Sequence, residues 1–350
     1  MALIDLKSLD KASLEEFVKK ERLPAFRARQ LIHWIYEKNV TGVGDITEFS
    51  KPLREKLAGK ARISGLAVKK RFASEDGTEK YLLELEDGNQ VECVLIGTEA
   101  PPGEEDGSRE KFTLCVSSQV GCAMGCRFCL TGEMGFIRDL RPHEIVEQAL
   151  CVQRLIQPRK ITNIVFMGMG EPLNNLANVA EALRRLTEFM RFSGRRITLS
   201  TSGIVPGILE LPRSAPSVNL AVSLNATTDE VRSRIMPVNR KYGLAALLKA
   251  LRQFPLSGRS RITFEYVLLG GVNDSDEDAA RLIKLLRGLP AKVNLIPFNA
   301  HEGAGFSAPS PERVLAFQKI LTDARMTAFI RKSKGTDILA ACGQLKAAYM

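Results

Sequence analysis

No stretch of this chain approaches the about 18 consecutive apolar residues of a membrane-spanning helix, so a membrane protein is not expected. The N-terminus, Met1-Ala-Leu-Ile-Asp-Leu-Lys, meets charge at once and has no apolar signal core, so a secretory leader is not expected either. With seven cysteines, an odd number, a disulfide-stapled secreted domain is disfavoured. The reducing cytoplasm is the expected compartment. Acidic residues are in deficit: 40 Asp and Glu stand against 50 Lys and Arg, a net charge of +10. Such a balance suits a polyanionic partner such as nucleic acid, although a solvated basic surface would look the same. Apolar content of 45% across 350 residues is ample for a large core with a smaller accessory unit.

The densest chemistry lies in Gly121-Cys122-Ala-Met-Gly-Cys126-Arg-Phe-Cys129, a C-x3-C-x2-C run in a glycine-softened loop. Three thiolates can hold three irons of a [4Fe-4S] cluster and leave the fourth iron open to an outside ligand. The usual ferredoxin run is C-x2-C-x2-C with a fourth cysteine, and structural zinc prefers paired C-x2-C units or added histidines. Neither pattern fits, which leaves an unusual zinc loop as the weaker alternative.

Residues 1–60 read as helical, with Ser13 expected to cap a helix from Leu14 and Pro24 to open a second one running past Trp34. Trp34 is expected in the core. Residues 61–111 read as a hairpin, Lys80–Leu85 with Gln90–Ile96, and then a Pro-, Gly- and Glu-rich loop from Gly97. From 112 to 350 short apolar strands alternate with amphipathic helices. Strands are expected at Phe112–Ser117, Asn163–Met167, Arg196–Ser200, Val218–Leu224, Ile262–Leu268 and Val293–Ile296, with a further one at Thr327–Arg331. Six βα units argue an α/β fold with a parallel sheet. A complete eightfold barrel usually needs about 250 residues, so a partial (β/α)6 barrel is the better match. Ligands in such folds sit at the C-terminal strand ends, where the cysteine loop would lie.

Polar segments follow other strands: Gly168-Met-Gly170-Glu171-Pro172, Ser200-Thr-Ser-Gly203, Ser223-Leu224-Asn225 and Pro297-Phe-Asn299. Each alone is explained as well by a turn or cap. Their common place on one rim favours a single polar ligand.

The cysteine run and Gly-Glu-Pro together resemble the radical S-adenosylmethionine (SAM) superfamily. The wider text is more specific. Leu114-Cys115-Val-Ser-Ser-Gln-Val-Gly-Cys122, Met167–Pro172, Lys292–Asn299 and Ala341-Cys342-Gly-Gln-Leu345 resemble the bacterial RNA adenine C2-methyltransferase family over nearly the whole chain. The resemblance implies a radical-SAM barrel, a [4Fe-4S] cluster on Cys122, Cys126 and Cys129, and two SAM molecules per turnover. SAM contacts are implied at Gly170, Glu171, Ser200, Ser223, Leu224, Asn225 and Asn299. It implies that Cys342 carries an S-methyl group, whose methylene radical adds to C2 of adenine and tethers RNA to protein. Cys115 then resolves the tether through a transient disulfide with Cys342. The implied substrate is 23S rRNA, with tRNA in some members; an external one-electron reductant feeds the cluster, and a monomer is expected. Cys93 stands where the family pattern has Thr.

Glu92 is the only charge in Val91–Ile96. An edge-strand charge facing water is the ordinary explanation; the family resemblance makes Glu92 the acceptor of the C2 proton. Cys93 and Cys151 read as core thiols. RNA grips are expected in the N-terminal helices and in Arg184-Arg185, Arg191, Arg195-Arg196, Arg232, Arg234 and Arg240-Lys241. The competing activities are methylation of adenine at C8, which would share every cysteine, and a non-catalytic RNA-binding metalloprotein.

Overall fold

The computed structural model describes residues 3–98, 111–301, 303 and 305–347; most of the expected loop from Gly97 lies outside them. The N-terminal segment forms β1 (Ile4–Asp5), α1 (Lys11–Lys20), α2 (Phe26–Ile32), a π turn over His33–Glu37, α3 (Lys51–Ala58) and β2 (Ala61–Arg62). The first cap differs from expectation. Asp10, not Ser13, caps α1, its carboxylate accepting from Ser13 N at 2.7 Å, so the helix starts earlier. An aspartate at this position reaches the third amide of the helix, leaving Ser13 as donor. Leu31 and Ile35 are buried as the apolar stripe requires. Trp34 is only half-buried, because its indole N–H turns outward to Glu48 at 2.8 Å. Arg185 is fully buried and ties this unit to the rest, donating to Lys7 O (2.6 Å) and Leu9 O (3.1 Å).

The hairpin is β4 (Glu79–Glu84) paired antiparallel with β5 (Gln90–Thr98). A strand without a sequence signal, β3 (Ala67–Ala73), joins its outer edge. Nearly every residue of β3 is exposed, so no inside–outside alternation marks it. On its other edge β5 pairs with β6 (Lys111–Cys115), which fuses the hairpin to the main sheet. That places Glu92 in an interior strand, away from any sheet edge.

The main sheet continues through β9 (Ile161–Phe166), β10 (Ile197–Thr201), β11 (Asn219–Ser223), β12 (Ile262–Leu268), β13 (Ala291–Pro297) and β14 (Ala328–Ile330), all parallel to β6. Between β6 and β9 lie β7 (Gln119–Gly121), α4 (Leu130–Glu133), β8 (Phe136–Asp139) and α5 (Pro142–Leu155). The crossovers beyond are α6 (Leu176–Arg184), α7 (Val205–Ser214), α8 (Asp229–Ile235), α9 (Leu244–Gln253), α10 (Asp276–Leu286) and α11 (Pro311–Asp323). Strand order is β14-β13-β12-β11-β10-β9-β6-β5-β4-β3, an open sheet and not a closed barrel. The expected partial barrel is therefore present, with the antiparallel hairpin extending one edge. The local helical signal is weakest in α7 and α8: Gly207 and Pro212 interrupt the first, and the second is two turns long.

Candidate active site

The loop after β6 carries the cysteine run to the C-terminal ends of the parallel strands. Cys122 N donates to Gly135 O (2.8 Å), and Cys129 sits at the N-cap of α4. Cys122, Cys126 and Cys129 line one cavity with the strand-end residues Gly170, Glu171, Ser200, Ser223, Asn225 and Asn299. Six of the seven expected SAM contacts thus face the three thiols. Leu224 does not line this cavity. It is fully buried, its N–H donating to Glu265 O (3.0 Å) and its carbonyl accepting from Arg232 Nε (2.9 Å).

Local geometry explains several of these positions. Gly170 has φ +98°, and a Cβ there would stand 2.5 Å from Gln119 Cβ, so only glycine fits. Asn225 is held at φ +57° by its own side chain: Oδ1 accepts from Val267 N (2.8 Å), while Asn273 Nδ2 donates to its carbonyl (2.7 Å). Glu171 accepts from Ser202 N (2.6 Å) and Leu173 N (3.1 Å). Its burial pushes the carboxyl up, and the Ser202 amide opposes this. Two oxygens offer about four acceptor sites, so capacity remains for a ligand ammonium group.

The thiols suit a cationic cluster. Burial pushes Cys122 up to about 12 and Cys126 upward too, and the neighbouring thiols add to both. Arg232 is near, but burial lowers it to about 10, and it is spent on Ser202 O (2.7 Å) and Asn239 Oδ1 (2.9 Å). Thiolates here therefore need positive charge brought to them, which iron supplies. Among the described residues no three His, Cys, Asp or Glu side chains are gathered for a single metal ion.

A second cavity adjoins the first. Cys115 and Cys342 both line it, and Met167, Glu265, Ile296, Asn299 and Cys342 belong to both cavities. Cys115 is buried and its thiol is raised, first by burial and then by Cys342. Cys342 is an exposed residue, yet protein crowded around its thiol, together with Glu265, raises it to about 11. The glycine beside it behaves as the sequence suggests. Gly343 has φ +85° and its carbonyl accepts from Leu130 N at 2.7 Å, which holds the C-terminal segment against the cluster loop.

Glu92 is not among the lining residues of either cavity. It is fully buried, 3.0 Å from Lys80 Nζ, and accepts from Lys346 N at 2.9 Å. Burial raises its carboxyl and Lys80 opposes this. Lys80 Nζ also donates to Leu339 O (3.2 Å), so the pair grips the Cys342 segment on both sides. Cys93 and Cys151 are buried. The residue missed from the sequence is Glu265. It is the sole charge in Ile262–Leu268, the same signal that singled out Glu92.

Comparison with known proteins agrees with this geometry. Residues 116–283 match the radical SAM superfamily, and residues 4–63 match the ribosomal RNA large subunit methyltransferase N-terminal domain. The chain is 52% identical over 346 residues to the dual-specificity RNA methyltransferase RlmN of Geobacter sulfurreducens, covering 98% of this chain and 92% of that one. The chain belongs to this RNA methyltransferase family. The RlmN of Syntrophobacter fumaroxidans is 49% identical over the full length of both. A crystal structure of a radical SAM methyltransferase from Sphaerobacter thermophilus superposes with a TM-score of 0.90 at 43% identity, covering 99% of this chain and 100% of that one. Family membership makes this a radical SAM methyltransferase with RNA as substrate. Among the described residues no helix is long and apolar enough to cross a membrane.

Proposed function

We propose that the protein methylates C2 of an adenine in 23S rRNA, and an adenine of tRNA, in the cytoplasm as a monomer fed by an external one-electron reductant. One observation carries the reading: Cys115 and Cys342 line one cavity that shares a wall with the cavity of Cys122, Cys126 and Cys129. Bound [4Fe-4S] cluster and SAM supply the methyl group and, on one-electron reduction, a hydrogen-abstracting radical. Cys122, Cys126 and Cys129 hold the cluster, and Gly170, Glu171, Ser200, Ser223, Asn225 and Asn299 line the space for SAM. Leu224 contributes through the backbone that sets Ser223 and Asn225.

Cys342, accessible on both sides of the shared wall, gives up its thiol proton and takes the methyl group. Its S-methyl carbon, after giving one hydrogen atom to the radical, joins C2; one electron of the adduct would return to the bound cluster and the C2 proton leaves, so that base and protein are tethered through S–CH2–C2. Glu92 accepts the C2 proton; because Lys346 N occupies its Oε2, this role requires the segment after Cys342 to shift. Cys115 then loses its thiol proton and attacks the Cys342 sulfur; the sulfur–carbon bond breaks, the methylene carbon leaves with the electron pair and takes a proton to become the C2 methyl, and reductant reopens the Cys115–Cys342 disulfide to two thiols.

Lys111, Lys292, Arg331, Lys332 and Lys334 line the second cavity and suit an entering RNA backbone. An adenine reaching this depth must be unpaired or flipped out of its stack. Residues 1–60 act as an accessory RNA-binding unit, residues 61–111 as the hairpin extension, and residues 112–350 as the catalytic barrel. Reconstituted protein, incubated without oxygen with SAM, a strong reductant and RNA fragments, should yield 2-methyladenosine on nucleoside mass spectrometry. Formation of 8-methyladenosine alone would overturn the assignment.

A further inference from the structure

We propose that Glu265 touches the target base, its carboxyl donating a hydrogen bond to a ring nitrogen beside C2. The inference rests on the C2 reading above and adds a substrate-contacting residue to it. Of the five residues shared by the two cavities, Glu265 is the only acid. It therefore stands where the space lined by the SAM-facing strand ends meets the space lined by the two catalytic thiols.

The strand register fixes that position. Glu265 lies between Ser223 of β11 and Asn294 of β13. Asn294 Nδ2 donates to its Oε1 at 2.9 Å, while the described residues give Oε2 no hydrogen bond. The side chain is thus oriented by one partner and has one oxygen left to offer. Cys342 is a close electrostatic neighbour, and Arg331 and Lys292 are the cations that face the carboxyl. Burial favours the neutral acid, and Asn294, Arg331 and Lys292 oppose that preference. A neutral carboxyl is a donor, as a group meeting adenine N1 or N3 must be, since both are acceptors.

The chemistry gives such a contact a purpose. A carbon radical next to sulfur is electron-rich, and C2 lies between two ring nitrogens. A hydrogen bond to either nitrogen withdraws electron density from C2 and favours attack there. The same contact turns the C2 edge of the base towards Cys342. Glu92, clamped by Lys80 and Lys346, is absent from both cavity walls and leaves this position to Glu265.

The test uses full-length reconstituted protein already methylated on Cys342, under single-turnover conditions. RNA carries adenosine, 1-deazaadenosine or 3-deazaadenosine at the target. Wild-type protein on unmodified RNA reports on the C2 reading itself; if 2-methyladenosine fails to form there, it is that reading which falls. For Glu265, the expectation is that Glu265→Ala slows methyl transfer to RNA about 100-fold, the low end of general-acid effects. RNA-independent SAM cleavage, read on protein already methylated on Cys342, should fall far less than methyl transfer to RNA. One deaza analogue should slow the wild-type protein by a similar factor and add nothing in Glu265→Ala. Glu265→Gln keeps a donor, so it should retain most of the rate and the same analogue sensitivity; this variant carries the test if the alanine variant does not fold. Analogue and substitution effects that multiply, loss of SAM cleavage in parallel with methyl transfer, or a Glu265→Gln protein indifferent to both analogues would each overturn the proposal.

Discussion

At the residue scale the two non-cluster thiols are distinguished by exposure. Cys342 is an exposed residue, which suits the proposed carrier of a methyl group that must meet a base, whereas Cys115 is buried. A resolving thiol gains from that shelter, because it should meet only the Cys342 sulfur. Substituting Cys115→Ala should trap a covalent RNA–protein adduct, seen as a slow-migrating band on denaturing gels. Cys342→Ala should give neither adduct nor methylated base. Free turnover in both variants would remove both assignments. The sequence marked these thiols by their flanking text; their shared cavity was visible only once β6 and the C-terminal segment had been brought together.

At the element scale the hairpin is a dock for the segment that bears Cys342. Its β3–β4 turn accepts Gly335 N on Asp76 (2.9 Å) and donates Ser74 Oγ to Asp337 (2.6 Å), while Lys80 and Glu92 hold Leu339 O and Lys346 N. The Lys80–Glu92 pair has both side chains fully buried. Removing one partner of such a pair leaves an uncompensated charge and costs about 3–5 kcal/mol, whereas removing both is often nearly neutral. Lys80→Met should therefore lower the unfolding free energy by that amount, read from the denaturant midpoint, and speed amide exchange over residues 339–346. Adding Glu92→Leu should recover at least half of the lost stability. A midpoint unmoved by Lys80→Met would mean that the pair does not hold the segment. The hairpin itself was legible from two short apolar runs, Lys80–Leu85 and Gln90–Ile96, on either side of a glycine-containing turn. Its fusion to the barrel was not, because the β5–β6 pairing is made by backbone groups that any sequence supplies.

At the scale of the whole molecule the net charge of +10 does not translate into a uniform RNA-binding surface. Two of the arginines expected to grip RNA, Arg185 and Arg232, are fully buried and bind backbone carbonyls. Arg191, Arg195, Arg196, Arg234 and Arg240 remain at the surface. On the proposed RNA path the cations at the entrance are those that line the Cys115–Cys342 cavity. Changing Lys332→Ala and Lys334→Ala together should weaken RNA binding across sequences. The slope of log affinity against log salt should fall by about two, one for each phosphate left without its lysine. An unchanged salt slope would place the RNA path elsewhere.

The sequence by itself determined the alternation of strands and helices, the cluster loop and the strand-end residues around it. These are local signals: hydrophobic period, turn chemistry and short motifs need no distant partner to be read. Only the tertiary structure decided where each lone acid lies and which partner it takes. Glu92 and Glu265 carry the same sequence signal, a lone acid in an apolar strand. Folding buries the first against Lys80 and the second in the wall between two cavities. Burial and partner choice depend on residues far away along the chain, so no local pattern could separate the two.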